Sequence, residues 1–198
     1  TEFISEDVSG LYGGVAVGDV EGDGSLELVT TGYSASAGAG RAFADDAGTG
    51  ARETVFQPGG ALGSVRLANI DGDVQQEMFL GGQTRVVCLD GLTQSEQWSH
   101  DFVGGYRLEL ADVDLDGVLE VVVTGASTIR VLDARTGALE WEITPPGGGL
   151  STSLAVRVGN IDSDPNPEIV YLALGVQVVD GVTRQAATFS SLISDAVE

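Results

Sequence analysis

The chain contains no lysine: all nine of its basic residues are arginines. In 198 residues it has one cysteine, one histidine, one methionine and five prolines. The lone Cys88 excludes an internal disulfide, and with a single histidine it leaves no ligand set for zinc. Its setting, "RVVCLD", reads as a strand in which the thiol serves as a small buried apolar group. No apolar run approaches the length of a bilayer-spanning helix, so membrane insertion is not expected. No segment sustains a 3.6-residue apolar period over three turns, so long helices are not expected either. The opening stretch "TEFISEDV" carries no basic, apolar leader pattern.

What is abundant is acid and glycine. Thirty acidic residues give a formal net charge of −21, which repels nucleic acid and anionic membranes and attracts cations. Twenty-nine glycines beside few prolines favour short strands joined by tight turns.

Four segments align without gaps: "VAVGDVEGDGSLE" (15–27), "VRLANIDGDVQQE" (65–77), "LELADVDLDGVLE" (108–120) and "VRVGNIDSDPNPE" (156–168). Each opens on an apolar-x-apolar triplet and a small residue, then runs through alternating acids to a closing glutamate. A second element, Asp-x-x-Thr, recurs as "DAGT" (46–49), "DGLT" (90–93), "DART" (133–136) and "DGVT" (180–183), and reads as a hairpin turn. An aromatic follows each: Phe56, Trp98, Trp141 and Phe189. Each unit therefore reads as strand, acidic loop, strand, strand, turn, strand. The repeats span approximately 10–57, 60–100, 104–143 and 150–190. Four strands in one short repeat define an all-β fold, a β-propeller of four four-stranded blades forming one domain over 1–198.

The acidic loops read as calcium sites. Calcium takes six to eight oxygen ligands at flexible geometry, and alternate side chains of a curling loop point inward. The candidate ligands are Asp19, Glu21, Asp23, Ser25 and Glu27 in the first loop, and Asn69, Asp71, Asp73, Gln75 and Glu77 in the second. Asp112, Asp114, Asp116, Val118 and Glu120 follow in the third, and Asn160, Asp162, Asp164, Asn166 and Glu168 in the fourth. Ser25, Gln75, Val118 and Asn166 occupy the seventh position and would offer a backbone carbonyl. Gly24 and Gly117 at the sixth position permit a sharp bend, where the other two loops carry Val74 and Pro165. The first and third loops carry one more formal charge and are expected to bind best. An EF-hand would need a bidentate glutamate at position 12, where Thr30, Leu80, Val123 and Tyr171 stand. Without a cation, so many carboxylates at close quarters would destabilise one another. The loops hold 14 of the 30 acids, and the other 16 face nine arginines, so most of the net charge of −21 is accounted for by the loops.

The loop pattern D-x-[DN]-x-D-G-x-x-[DE] resembles the FG-GAP and VCBS-type repeats of extracellular β-propellers, including those of integrin α-subunits. The match covers all four repeats; "LYGG" (11–14) and "VGGY" (103–106) echo the family's other signatures. The segment "VLDARTGALEW" is also similar to quinoprotein propeller repeats, whose cofactor ligands are not found in this chain. The FG-GAP resemblance implies a secreted or cell-surface module for adhesion or ligand binding, with calcium stiffening each blade. Its partner would be a protein or glycan ligand, or copies of itself, and it implies no catalysis.

Two further expectations follow from the residues. Residues 1–9, with Phe3, look like one outer strand more than four blades need, since Phe189 already lies in a strand of its own. That surplus strand would close a four-bladed ring, belong to half of a larger ring, or pair with a neighbouring molecule. A ligand would meet loops such as 32–43 and 145–149. The enzymatic alternative is a calcium-dependent polysaccharide lyase, which would need a basic residue in a carbohydrate groove. Arg66, Arg107 and Arg157 are the candidates, but they sit within strand-like runs and read as structural. His100, beside Trp98 in an outer strand, reads as a surface or turn residue.

Overall fold

A computed structural model of the chain describes residues 9–34, 38–57, 60–145, 155–162, 164–173 and 175–188. The described residues form sixteen strands and no helix. Four antiparallel meanders follow one another along the chain, each pairing its strands in sequence order. Sheet 1 comprises β1 (Ser9–Gly18), β2 (Glu27–Ser34), β3 (Ala39–Asp46) and β4 (Arg52–Phe56). Sheet 2 comprises β5 (Leu62–Ala68), β6 (Glu77–Gly82), β7 (Arg85–Leu89) and β8 (Glu96–Asp101). Sheet 3 comprises β9 (Arg107–Ala111), β10 (Glu120–Thr124), β11 (Ile129–Asp133) and β12 (Leu139–Ile143). Sheet 4 comprises β13 (Val156–Gly159), β14 (Glu168–Ala173), β15 (Gly175–Asp180) and β16 (Ala186–Thr188).

Runs such as "EVVVT" and "EMFLGG" lack polar alternation because both faces of these strands are buried. Consecutive side chains of one strand point to opposite faces, and here each face meets a different neighbour. Met78 and Leu80 enter a core between sheets 1 and 2, with Val29 and Ala44, while Phe79 enters the core between sheets 2 and 3. Val121 and Val123 join that second core, and Val122 faces a third, between sheets 3 and 4, with Ile169 and Tyr171. Four sheets are thus stacked in chain order by three apolar layers, and their first strands lie side by side: β1 by β5, β5 by β9, β9 by β13. Cys88 is fully buried in the second layer, where burial raises its thiol well above the ordinary range.

The repeat positions read from sequence fall where expected. Each acidic loop joins the first strand to the second, and each Asp-x-x-Thr joins the third to the fourth. Phe56, Trp98 and Trp141 stand in the fourth strands; Phe189 and Phe3 lie outside the described residues, as do residues 1–8 of the expected surplus strand 1–9, while Ser9 begins β1. Two readings of loops change. "LYGG" belongs to β1, which carries a bulge between Ser9 and Gly14, and most of 32–43 is the β2–β3 hairpin itself. Residues 35–37 at its tip, and 146–149 of the other proposed ligand loop, are outside the described residues.

The turns tie one sheet to the next. Trp98 donates its indole N–H to the carbonyl of Ala134 at 2.9 Å, and Arg135 Nε donates to the carbonyl of Ile70 at 2.9 Å. His100 Nδ1 lies 3.1 Å from the carbonyl oxygen of Gly137, so the single histidine also bridges sheets 2 and 3.

Candidate metal centres

Each acidic loop is closed by its last residue. The glutamate at the ninth position begins the second strand, buried almost completely: Glu27, Glu77, Glu120 and Glu168 are 0–2 % exposed. One carboxylate oxygen accepts the N–H of the second loop residue: Val20 at 2.8 Å, Ile70 at 2.9 Å, Val113 at 2.6 Å and Ile161 at 2.7 Å. The other oxygen of Glu77, Glu120 and Glu168 is buried with no hydrogen-bond partner among the described residues. Burial raises Glu27, Glu77 and Glu120 above the ordinary carboxyl value. Glu120 reaches about 8: its desolvation and the nearby Glu140, Asp114 and Asp112 outweigh the Val113 hydrogen bond.

The rest of the loop is shaped by its own carboxylates. At the fifth position, Asp23, Asp73, Asp116 and Asp164 each accept the N–H of the seventh residue at 2.7–2.8 Å. The fourth position needs a left-handed backbone: Gly22, Gly72 and the non-glycine Leu115 have φ of 73°, 87° and 65°. Only glycine adopts that region at no steric cost, so Leu115 carries a strain that Gly22 and Gly72 avoid.

The first position divides the loops into two kinds. Asp19 and Asp112 accept the N–H of Gly24 and Gly117 at 2.9 and 3.0 Å, and those glycines have φ of 90° and 88°. Val74 does not take a positive φ, and Pro165 has no N–H to give. In their loops Asn69 and Asn160 instead donate a side-chain N–H to the carbonyls of Asp73 and Asp164. Asparagine at position one thus answers the missing glycine at position six.

The turns bring further acids to the same end of each sheet. Glu27, Glu120 and Glu168 are direct cross-strand partners of Asp46, Asp133 and Asp180, the first residues of three Asp-x-x-Thr turns. Within the turns, Asp46, Asp90 and Asp133 accept both the N–H and the hydroxyl of the threonine at 2.5–2.7 Å. Those bonds hold Asp46 and Asp90 below the ordinary carboxyl value; Asp180 is lowered by the Thr183 N–H.

Carboxylate oxygens converge within 4.8 Å of one another in four groups. Three are the predicted ones: Asp112, Asp114, Asp116 and Glu120; Asp71, Asp73 and Glu77; Asp162, Asp164 and Glu168. At the first loop the converging group is instead Glu27, Asp46 and Glu53, without the predicted Asp19, Glu21 and Asp23; Asp19 caps the amides of Gly22, Asp23 and Gly24. Asp46 and Glu53 escape sequence reasoning because they reach Glu27 only through strand register. The signal for Asp46 was the repeated Asp-x-x-Thr, which reads first as a turn; Glu53 had none. At the seventh position, Ser25, Gln75, Val118 and Asn166 use their N–H groups within the loop; Asn166 Nδ2 also donates to Asp180 at 3.0 Å.

No protein-family model matches the chain, and no curated protein sequence matches it. Among solved structures it is similar to the V. cholerae biofilm matrix protein Bap1, with a TM-score of 0.59 and 20 % sequence identity over 85 % of this chain. The likeness is one of fold, and the chain spans 27 % of that protein's length.

Proposed function

We infer that the chain is a non-catalytic, calcium-stabilised β-propeller module, secreted or held at a cell surface, that serves adhesion or ligand binding. The carrying observation is the orphaned carboxylate oxygen of Glu77, Glu120 and Glu168, buried beside converging acids. A buried acceptor without a donor is costly, and a hard divalent cation satisfies it while cancelling the repulsion of its neighbours. The donor set is all oxygen, which suits calcium better than zinc. The third loop, with four converging carboxylates, is the strongest site; at the first, Asp46 and Glu53 join Glu27 as ligands.

The propeller reading is supported by consecutive meanders stacked face to face with neighbouring first strands. The extracellular reading rests on the FG-GAP-like loops and on the likeness to a biofilm matrix protein. The test is a melting curve in calcium against chelator: calcium at a hundredfold over Kd adds about 2.7 kcal/mol per site. An unchanged melting temperature, with calcium binding absent by titration calorimetry, would overturn the reading.

A second reading, self-assembly, is favoured by one residue. The second loop position is buried at Val20 (1 %), Ile70 (7 %) and Val113 (0 %), where the next sheet's turn covers it, but Ile161 is 51 % exposed. Among the described residues no further turn covers Ile161, so sheet 4 presents an open copy of a junction used three times between the sheets. Assembly through it predicts a concentration-dependent mass by light scattering, abolished by Ile161→Asp; a monomer at all concentrations overturns it.

A further inference from the structure

The first strands carry a second constellation, separate from the loops. Gly14 of β1, Ser64 and Arg66 of β5, Arg107 of β9 and Arg157 of β13 line one cavity of about 290 Å³. Three of the nine arginines thus face a single space in a protein of net charge −21.

Only part of that charge is answered. Arg66 holds Glu109 in a fork, Nε on Oε2 and Nη2 on Oε1, both at 2.9 Å. Arg157 Nη1 donates to the same Oε1. Arg66, Glu109 and Arg157 occupy the same repeat position, the middle of the apolar-x-apolar triplet, in three successive sheets. Arg107 stands one residue before its triplet and is half-buried. Its guanidinium has no hydrogen-bond or ion-pair partner among the described residues. None of its nitrogens is buried without a partner, so the guanidinium meets water within the cavity and keeps its donors open to a ligand that enters from solvent.

We propose that this cavity binds a small oxyanion: a carboxylate, sulfate or phosphate group carried on a ligand of about one sugar ring. Arg107 supplies the open fork, whose donors fit such groups in pairs. The Arg66–Glu109 contact shows a carboxylate seated in that manner at the edge of the cavity. The volume lies at the small end of ligand clefts, which run from roughly 300 to 1,000 Å³. It suits a terminal acidic group and excludes a bulky partner. The inference does not rest on the calcium reading, because the cavity uses none of the loop carboxylates.

The test is titration calorimetry of the whole chain at low salt with excess calcium, with folding checked by melting curve. The probes are glucuronate, glucose 6-sulfate, glucose 6-phosphate and, as the neutral control, glucose. At least one anionic sugar binds, glucose does not, and the anionic arms identify the group preferred. Arg107→Gln lowers the affinity about tenfold or more, the loss expected for a charged hydrogen bond. Arg85→Gln, which removes the same charge from a surface pair with Glu96, leaves it unchanged. Should Arg107→Gln not fold, Arg107→Lys, which keeps the charge but not the fork, still weakens binding. Failure of all three anions to bind the folded protein, equal binding of glucose, or wild-type affinity in the folded Arg107 variant overturns the proposal.

Discussion

Glu120 and Asp133 face each other directly across the β10–β11 ladder, two acids at a position where like charges destabilise a sheet. Glu120 is fully buried there, with one oxygen on the Val113 N–H and the other unpartnered among the described residues. Desolvation, reinforced by Glu140, Asp114 and Asp112, pushes its carboxyl from 4.5 up to about 8. An acid whose folded pKa is raised holds its proton more tightly folded than unfolded. Its contribution to stability is therefore full below about 4.5 and is lost as pH rises toward 8. The ion-free protein should lose stability across that window, at up to about 1.4 kcal/mol per pH unit. Urea melts in chelator at several pH values measure the slope, and Glu120→Gln should flatten it. Excess calcium, by holding the carboxylate ionised, should abolish the slope and release protons on binding. A chelated protein equally stable at pH 5 and pH 8 would show that Glu120 does not titrate in this way.

Asn69 and Val74 form a coupled pair. The Asn69 amide donates to the carbonyl of Asp73, an arrangement that keeps the 73–74 peptide turned the opposite way from its counterpart in the third loop. Asn69→Asp sets a carboxylate oxygen against that carbonyl and should cost about 1 kcal/mol in chelator. Val74→Gly gives the sixth position the φ near 90° adopted by Gly24 and Gly117, so the peptide can turn its N–H to the new aspartate. The double variant should recover more than the sum of its parts, with a coupling of about 0.5–3 kcal/mol by urea denaturation. Strict additivity would mean the two positions choose their residues independently.

Gln94 carries a φ of 57° in the turn that follows Asp90, where Gly50 and Gly137 occupy the equivalent places at 72° and 69°. Its N–H bonds the Asp90 carbonyl at 2.8 Å, as those of Gly50 and Gly137 bond Asp46 and Asp133. A left-handed conformation costs a non-glycine residue about 1–2 kcal/mol, partly offset by the extra unfolded-state entropy of glycine. Gln94→Gly should therefore raise stability by about 0.5–1 kcal/mol, seen as a higher melting temperature. A fall would locate an unrecognised side-chain contribution at Gln94.

These positions mark how far a sequence reaches. The four repeats, the strand order and three of the four acid groups were legible because a fixed spacing puts Asp112, Asp114, Asp116 and Glu120 in one loop whatever surrounds it. Asp46 and Glu53 were not, since their approach to Glu27 depends on the pairing of β2 with β3 and on the path of the chain beyond it. The exchange of Asp for Asn at position one was visible but read only as a lost charge. Its physical cause, the orientation of one peptide, needs coordinates. Arg66, Glu109 and Arg157 share a column of the alignment, yet only the stacking of three sheets turns that column into one charged row.

Gly91 offers the sharpest check on how the sheets are joined. A methyl group at its Cα would lie 2.0 Å from the carbonyl oxygen of Val20, in the first acidic loop, and 2.5 Å from that of Gln76, in its own. Gly181 repeats the arrangement one junction further on, where the same methyl would lie 2.1 Å from the Val113 oxygen. Both contacts are with backbone, which cannot rotate away as a side chain would. The neighbouring loop must move, and that loop carries Val20 into the core between sheets 1 and 2. Gly91→Ala should cost about 1–3 kcal/mol by denaturant unfolding, the usual range for overpacking. It should also weaken calcium binding at the first two loops more than at the third, because the displaced carbonyls belong to those two. Unchanged stability would mean that the turn of sheet 2 does not seat on the first loop as closely as the Gly91–Val20 approach requires.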